Sequence, residues 1–244
     1  MSFYTDIKYA ASDAVCAAFV PLSPEAFSRY CSRFIDGFFV TLELLILSCV
    51  IGFLVAILII FARLSSNSIF SNLAFGYSYL FRGTPLLVQL WLLYFGVGSL
   101  GADRLGALWP FFREGWNVGL LVLILNTSAY VSEVLRGGLV NIPKGQMEAA
   151  MALGIPWLSA MRRIMFPQAL RIAWPAYSNE VILLMKGSAL VSTITVLDLM
   201  GQTRTVFSRS YNLEIYGYAA ILYLIIAGLI TLLFKVAETR IRHA

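Results

Sequence analysis

Residues Gly37–Ala62 read GFFVTLELLILSCVIGFLVAILIIFA, a run whose single charge is Glu43 and which stops at Arg63. About 20 mostly apolar residues are enough to cross a hydrocarbon layer of about 30 Å as a helix. In lipid, a helix also satisfies its own backbone donors and acceptors. The run therefore predicts a membrane-spanning helix and sets the class of the chain.

Working outward, four further stretches meet the same test. Gly217–Ala237, GYAAILYLIIAGLITLLFKVA, is the cleanest. Asn72–Gly96 is apolar apart from the interruption Arg82-Gly83-Thr84-Pro85. Trp116–Leu135 follows, and then Ile172–Met200, which carries Asn179, Glu180, Lys186 and Asp198. The expected fold is an all-α integral membrane protein with five transmembrane helices, over about 37–62, 72–96, 116–135, 172–200 and 217–237. Composition agrees: 59% of residues are apolar and 13% charged, against roughly 45–50% and about 25% in soluble domains.

The formal net charge of +5 would suit a polyanionic partner. The basic residues, however, sit mostly at the ends of apolar blocks, where Lys and Arg mark membrane borders, so no nucleic-acid partner is expected. Cys16, Cys31 and Cys49 lack metal-ligand spacing. Cys16 and Cys31 lie outside the apolar blocks and can meet there, although nothing in the sequence requires it. His243 is the lone histidine, too little for a His-centred metal or catalytic site. Residues 1–33 do not fit a signal peptide, because Asp6 and Asp13 fall where a basic leader and an apolar core belong. They are expected to form an external segment with a helix on the bilayer surface, ahead of a transmembrane domain over 34–242.

Five spans put the termini on opposite sides. With the N-terminus outside, Arg63, Arg136, Lys144, Arg162, Arg163, Arg171, Lys235, Arg240 and Arg242 all fall on the cytoplasmic side, packed into short loops. The expected orientation is N-terminus out, C-terminus in.

Between the third and fourth spans, residues 141–167 read NIPKGQMEAAMALGIPWLSAMRRIMFP. Gly145–Leu153 are good helix formers and Gly154 is a natural left-handed stop. Pro156 opens a second short helix and Pro167 is expected to close it. The pair is too short to cross the bilayer and is displayed on the cytoplasmic face.

Glu148-Ala149-Ala150, Gly154 four residues later, Ile164 and Pro167 match the EAA loop of ABC importer permeases. Phe166 stands where that pattern has Leu, which keeps an apolar anchor. Three more stretches, Phe81-Arg-Gly-Thr-Pro-Leu-Leu-Val-Gln89, Leu125-Asn-Thr-Ser-Ala-Tyr130 and Arg171–Leu183, resemble the polar amino-acid branch, most of all the M-type permeases of histidine, basic amino-acid and opine importers. The resemblance covers roughly Arg33–Arg242. It implies the type I importer permease fold in a bacterial inner membrane, with a periplasmic N-terminus and a cytoplasmic C-terminus. It also implies a homologous Q-type permease, two ATP-binding-cassette ATPase subunits and a periplasmic substrate-binding protein as partners. No cofactor is then expected on this chain; ATP and Mg belong to the partner ATPase. Glu148, Ala149, Ala150, Gly154, Ile164 and Pro167 would form the ATPase-coupling surface.

Charged and polar groups inside a bilayer are expensive and call for a partner or a wet cavity. Asn126, Tyr130, Glu133 and Gly137 fall on one helical face, as do Asn179, Lys186 and Thr193. Arg82 and Gln89 share a face in the second span. A substrate path lined by Arg82, Gln89, Asn126, Tyr130, Asn179, Lys186, Ser188 and Thr193 explains these stripes, and Gly187-Ser188 marks a place for the fourth helix to open. Other readings stay open: Arg82 snorkels to the interface, and Glu133 pairs with Arg136 one turn on.

The expected function is the permease subunit of an ATP-driven importer for a polar or basic amino acid or an opine-like conjugate. An autonomous ion-coupled carrier or channel is the alternative; it would transport alone, without ATP. A membrane-embedded enzyme would need a catalytic cluster at bilayer depth, and the chain offers little from which to build one.

Overall fold

The computed structural model describes Ala14, Cys16, Ala17 and Glu25–His243. Every element among the described residues is helical. Helix α1 (Glu25–Arg63) is followed by α2 (Ser68–Gly83) and α3 (Leu86–Trp91). From α3 the chain continues through a π-turn (Leu92–Val97) and short pieces, including α4 (Gly101–Leu105) and α5 (Trp109–Phe112). Next come α6 (Gly115–Val140), α7 (Lys144–Ala152) and α8 (Trp157–Ala160). A π-turn (Met161–Met165) leads into α9 (Phe166–Ser188), a 3-10 segment (Ala189–Ile194), α10 (Leu199–Ser210) and α11 (Glu214–His243). The expected surface helix in the N-terminal segment falls largely outside the described residues.

Among the described residues, four helical stretches are long and apolar enough to cross a membrane: Ser28–Arg63, Leu86–Phe112, Gly115–Val140 and Glu214–Arg240. A fifth is a broken pair, Trp157–Ile194 with Leu199–Ser210, bent by 50°. The interruption at Arg82–Pro85 is a full break. Thr84 is extended (φ −114°, ψ 143°) and Pro85 follows as the N-cap of α3. The proline ring disfavours helical geometry in the residue before it, and Thr84 Oγ1 donates to Leu80 O. The stretch 72–96 is thus parts of two helices, and the apolar helix that qualifies as a span starts at Leu86.

The described chain divides into two compact units. One gathers the described residues up to Ser48, Pro85–Leu123 and Leu184–Gly228. In it, Cys16 and Cys31 form a disulfide. Asp198 caps α10 by accepting from Gly201 N at 2.9 Å. Thr41 Oγ1 accepts from Leu199 N and donates to Gly37 O, each at 3.0 Å, so the break before α10 is held on α1.

The other unit holds Cys49–Thr84, Ile124–Leu183 and the residues after Gly228. Two clusters of buried side chains stand out in its core among the described residues. Ala56, Val131, Leu135 and Ala173 form one, with Phe53, Ile57 and Tyr177 packed on it. Ile142, Met161, Met165 and Ala169 form the other, against Phe61, Leu64 and Met147. Trp174 Nε1 donates to Phe234 O at 3.2 Å and anchors α11 there.

Candidate functional site: a coupling loop and a polar face

The loop between α6 and α9 is built by local rules. Helix α7 ends in a full left-handed stop: Gly154 has φ +72°, its N–H donates to Met151 O at 2.9 Å, and Ile155 N–H donates to Ala150 O at 3.0 Å. These are the two bonds of the Schellman motif, which needs a residue free to adopt positive φ. Pro156 then caps α8. The loop is fastened from beneath: Gln168 Nε2 donates to Gln146 Oε1 at 2.6 Å, and Phe166 stacks on Phe61 with ring centroids 6.1 Å apart.

One expectation is corrected here. Pro167 does not close a helix, because it stands in the first turn of α9, directly after the π-turn. Proline lacks the N–H that a regular helix would use there, and the preceding π-turn shifts the hydrogen-bond register, with Phe166 N–H donating to Met161 O.

Glu148 and Ala149 are exposed at the loop surface, Ala150 is buried and Ile164 half-buried. Around them stand apolar side chains that the motif does not include: Met151, Leu153, Trp157 and Leu158, with Leu153 79% exposed. Their signal in the sequence was weak, a few apolar residues on either side of Gly154-Ile155-Pro156.

The polar residues of the second unit converge on α6. Asn126 Nδ2 donates to Phe81 O at 3.2 Å, and Tyr130 Oη donates to Arg82 O at 3.4 Å. The Arg82 guanidinium lies over the Tyr130 ring, 5.6 Å from its centroid. Glu133 accepts from Arg136 Nε at 2.7 Å, so the pairing that the spacing allowed is present. Glu133 also draws Arg82 to 3.7 Å and Arg63 to 3.8 Å. Asn179, in the same unit, is exposed.

In the first unit, Trp91 Nε1 donates to Thr193 Oγ1 at 3.1 Å. Gln89 is buried on α3, across the break from Arg82, so the two do not share one helical face as expected; Lys186 is exposed. Ser188 departs from its expected role: it is fully buried and its hydroxyl donates to Met185 O at 2.8 Å, so it offers no group to a path. The helix opens just after it, where α9 tightens into the 3-10 segment and Ser192 and Thr193 donate to the carbonyls of Ala189 and Leu190.

Residues 38–243 match the family model described as "Binding-protein-dependent transport system inner membrane component". The chain is 44% identical over 200 residues to the nopaline transport system permease protein NocM of Agrobacterium fabrum, covering 81% of this chain and 83% of that one. It is 44% identical over 209 residues to the histidine/lysine/arginine/ornithine transport system permease protein HisM of Salmonella typhimurium, covering 84% and 88%. A crystal structure of an amino acid ABC transporter with histidines superposes with a TM-score of 0.79 at 34% identity, covering 89% of this chain and 99% of that one. This chain belongs to the family of inner-membrane components of binding-protein-dependent transport systems. It is a multi-pass membrane permease of the ABC importer type and not an enzyme.

Proposed function

We propose that this chain carries a polar or basic amino acid, or an opine-like conjugate, across the inner membrane, driven by ATP hydrolysed on another subunit. The observation that carries this reading is the loop surface around Gly154, where Met151, Leu153, Trp157 and Leu158 stand exposed beside Glu148 and Ala149. A cleft on an ATPase subunit accounts for these groups, with Arg162 and Arg163 as charges at its rim. Gly154 supplies the sharp turn, while Ala150, Ile164 and Pro167 support the loop from beneath.

In this reading the functional assembly contains a homologous Q-type permease, two ATPase subunits that bind ATP and Mg, and a periplasmic substrate-binding protein. The N-terminus is periplasmic and the C-terminus cytoplasmic. The Cys16–Cys31 disulfide supports that orientation, since such bonds persist in oxidising compartments. Arg82, Gln89, Asn126, Tyr130, Asn179, Lys186 and Thr193 line the path. A loaded binding protein docks outside, ATP binding closes the ATPases on the coupling loops, and the helices hinge to open the path first outward and then inward. The named relatives support this substrate class by their similarity.

Gly154→Asp tests the loop. A Cβ there meets nothing within 4 Å, so its cost is backbone strain, about 1–2 kcal/mol. The variant complex is expected to assemble and to lose most ATP-driven uptake. Normal uptake by an assembled variant would count against the coupling role.

A further inference from the structure

Three arginines of the second unit surround one carboxylate. Arg63 ends α1, Arg82 stands at the end of α2 just before the break, and Arg136 lies one turn beyond Glu133 on α6. The approaches to Glu133 are unequal. Arg136 Nε takes Oε2 at hydrogen-bond distance, 2.7 Å. Arg82 and Arg63 stay at 3.7 and 3.8 Å, close enough for charge attraction but too far for a hydrogen bond.

Glu180 of α9 also acts electrostatically on Arg82. Counting it, three positive charges face two negative ones, which leaves one cation in surplus. Arg63 Nη1 is buried with no hydrogen-bond acceptor. Arg82 is the accessible member, with its side chain 42% exposed against 15% for Glu133. A surplus guanidinium among apolar helices is costly until an anion joins it. Its fork of donors matches a carboxylate or a phosphate.

We propose that Arg82, resting over Tyr130, is the receptor for a carboxylate of the transported substrate. In the empty permease it is held loosely by Glu133, and the arriving carboxylate takes Glu133's place as its partner. This deepens and rests on the proposed substrate class, whose members all carry such a group. It makes Arg82 and Glu133 a pair in exchange.

The test uses the purified transporter, assembled with its partner permease and ATPases and without the binding protein, so that capture selectivity plays no part. It is titrated with radiolabelled L-arginine and with agmatine, the decarboxylated counterpart. The wild type is expected to bind L-arginine at least tenfold more tightly than agmatine. Arg82→Gln should bind both alike, and Arg82→Lys should keep part of the preference. Glu133→Gln removes the competing carboxylate and should bind L-arginine more tightly than the wild type.

A tenfold preference that persists in an assembled Arg82→Gln complex overturns the proposal. So does weaker L-arginine binding by an assembled Glu133→Gln complex, which keeps the idea open to refutation if the Arg82 variant does not fold. A phospholipid that co-purifies with wild type and is lost in Arg82→Gln, with the preference intact, assigns the surplus charge to a lipid phosphate instead. If the wild type binds none of L-arginine, L-histidine and octopine, the substrate class itself fails, and the inference with it.

Discussion

On α6, a Cβ added to Gly138 would fall on the carbonyl oxygen of Ala169 and crowd the Ala173 side chain, whereas one added to the adjacent Gly137 would meet nothing within 4 Å. The two glycines look alike in the sequence and answer to different forces. Gly138 is where α6 and α9 come close enough for backbone to touch, the contact by which small residues join helices in lipid. Gly138→Val should therefore destabilise the assembled permease by about 1–3 kcal/mol through overpacking. Gly137→Ala should leave it unchanged or stabilise it by about 0.5–1 kcal/mol, because a mid-helix glycine costs backbone entropy. Thermal unfolding of the purified complexes followed by tryptophan fluorescence compares them. Equal midpoints would show that the close approach contributes nothing. Gly154, in contrast, was legible from its neighbours, since good helix formers run up to it and Ile155-Pro156 leaves it.

At the scale of elements, the breaks decide what the helices present. The break at Thr84–Pro85 could be read locally, because proline acts on the residue before it. The second break, between the 3-10 segment and α10, had no such signal. Thr195 takes a left-handed conformation at φ 72°, uncommon for a β-branched residue, and Tyr94 Oη lies 3.2 Å from its hydroxyl. Asp198 caps the next helix, and Thr41 accepts the Leu199 N–H that the break leaves without an intrahelical acceptor. Thr41→Val should therefore cost about 1–3 kcal/mol, since it orphans a buried donor. Thr41→Ser keeps the acceptor and should lie much nearer to wild type. Comparable losses in both variants, read as melting temperatures of the purified complex, would argue that packing and not the hydrogen bond matters there.

For the whole molecule, the disulfide gives a direct reading of topology. With the N-terminus outside, wild-type cells should show no labelling of Cys16 or Cys31 by a membrane-impermeant maleimide. Cys31→Ser should release the Cys16 thiol, which is partly exposed and reacts in intact spheroplasts. Thiols that react only after permeabilisation would reverse the orientation. The hydropathy of runs such as Gly37–Ala62 and Gly217–Ala237 was enough to place the chain in the membrane. The spacing from Glu148 to Pro167 was enough to place a loop of two short helices that turns at Gly154. Both are local: a run needs only length and composition, and a turn only its own few residues. Which helix faces meet is another matter. Arg63, Arg82 and Glu133 come from three helices, and no periodicity within any one of them announces that they share a charge. Apolar helix surfaces pack against one another or against lipid with little difference in transfer energy. The selection falls to close backbone approach and buried polar pairing, which exist only once the helices are folded together.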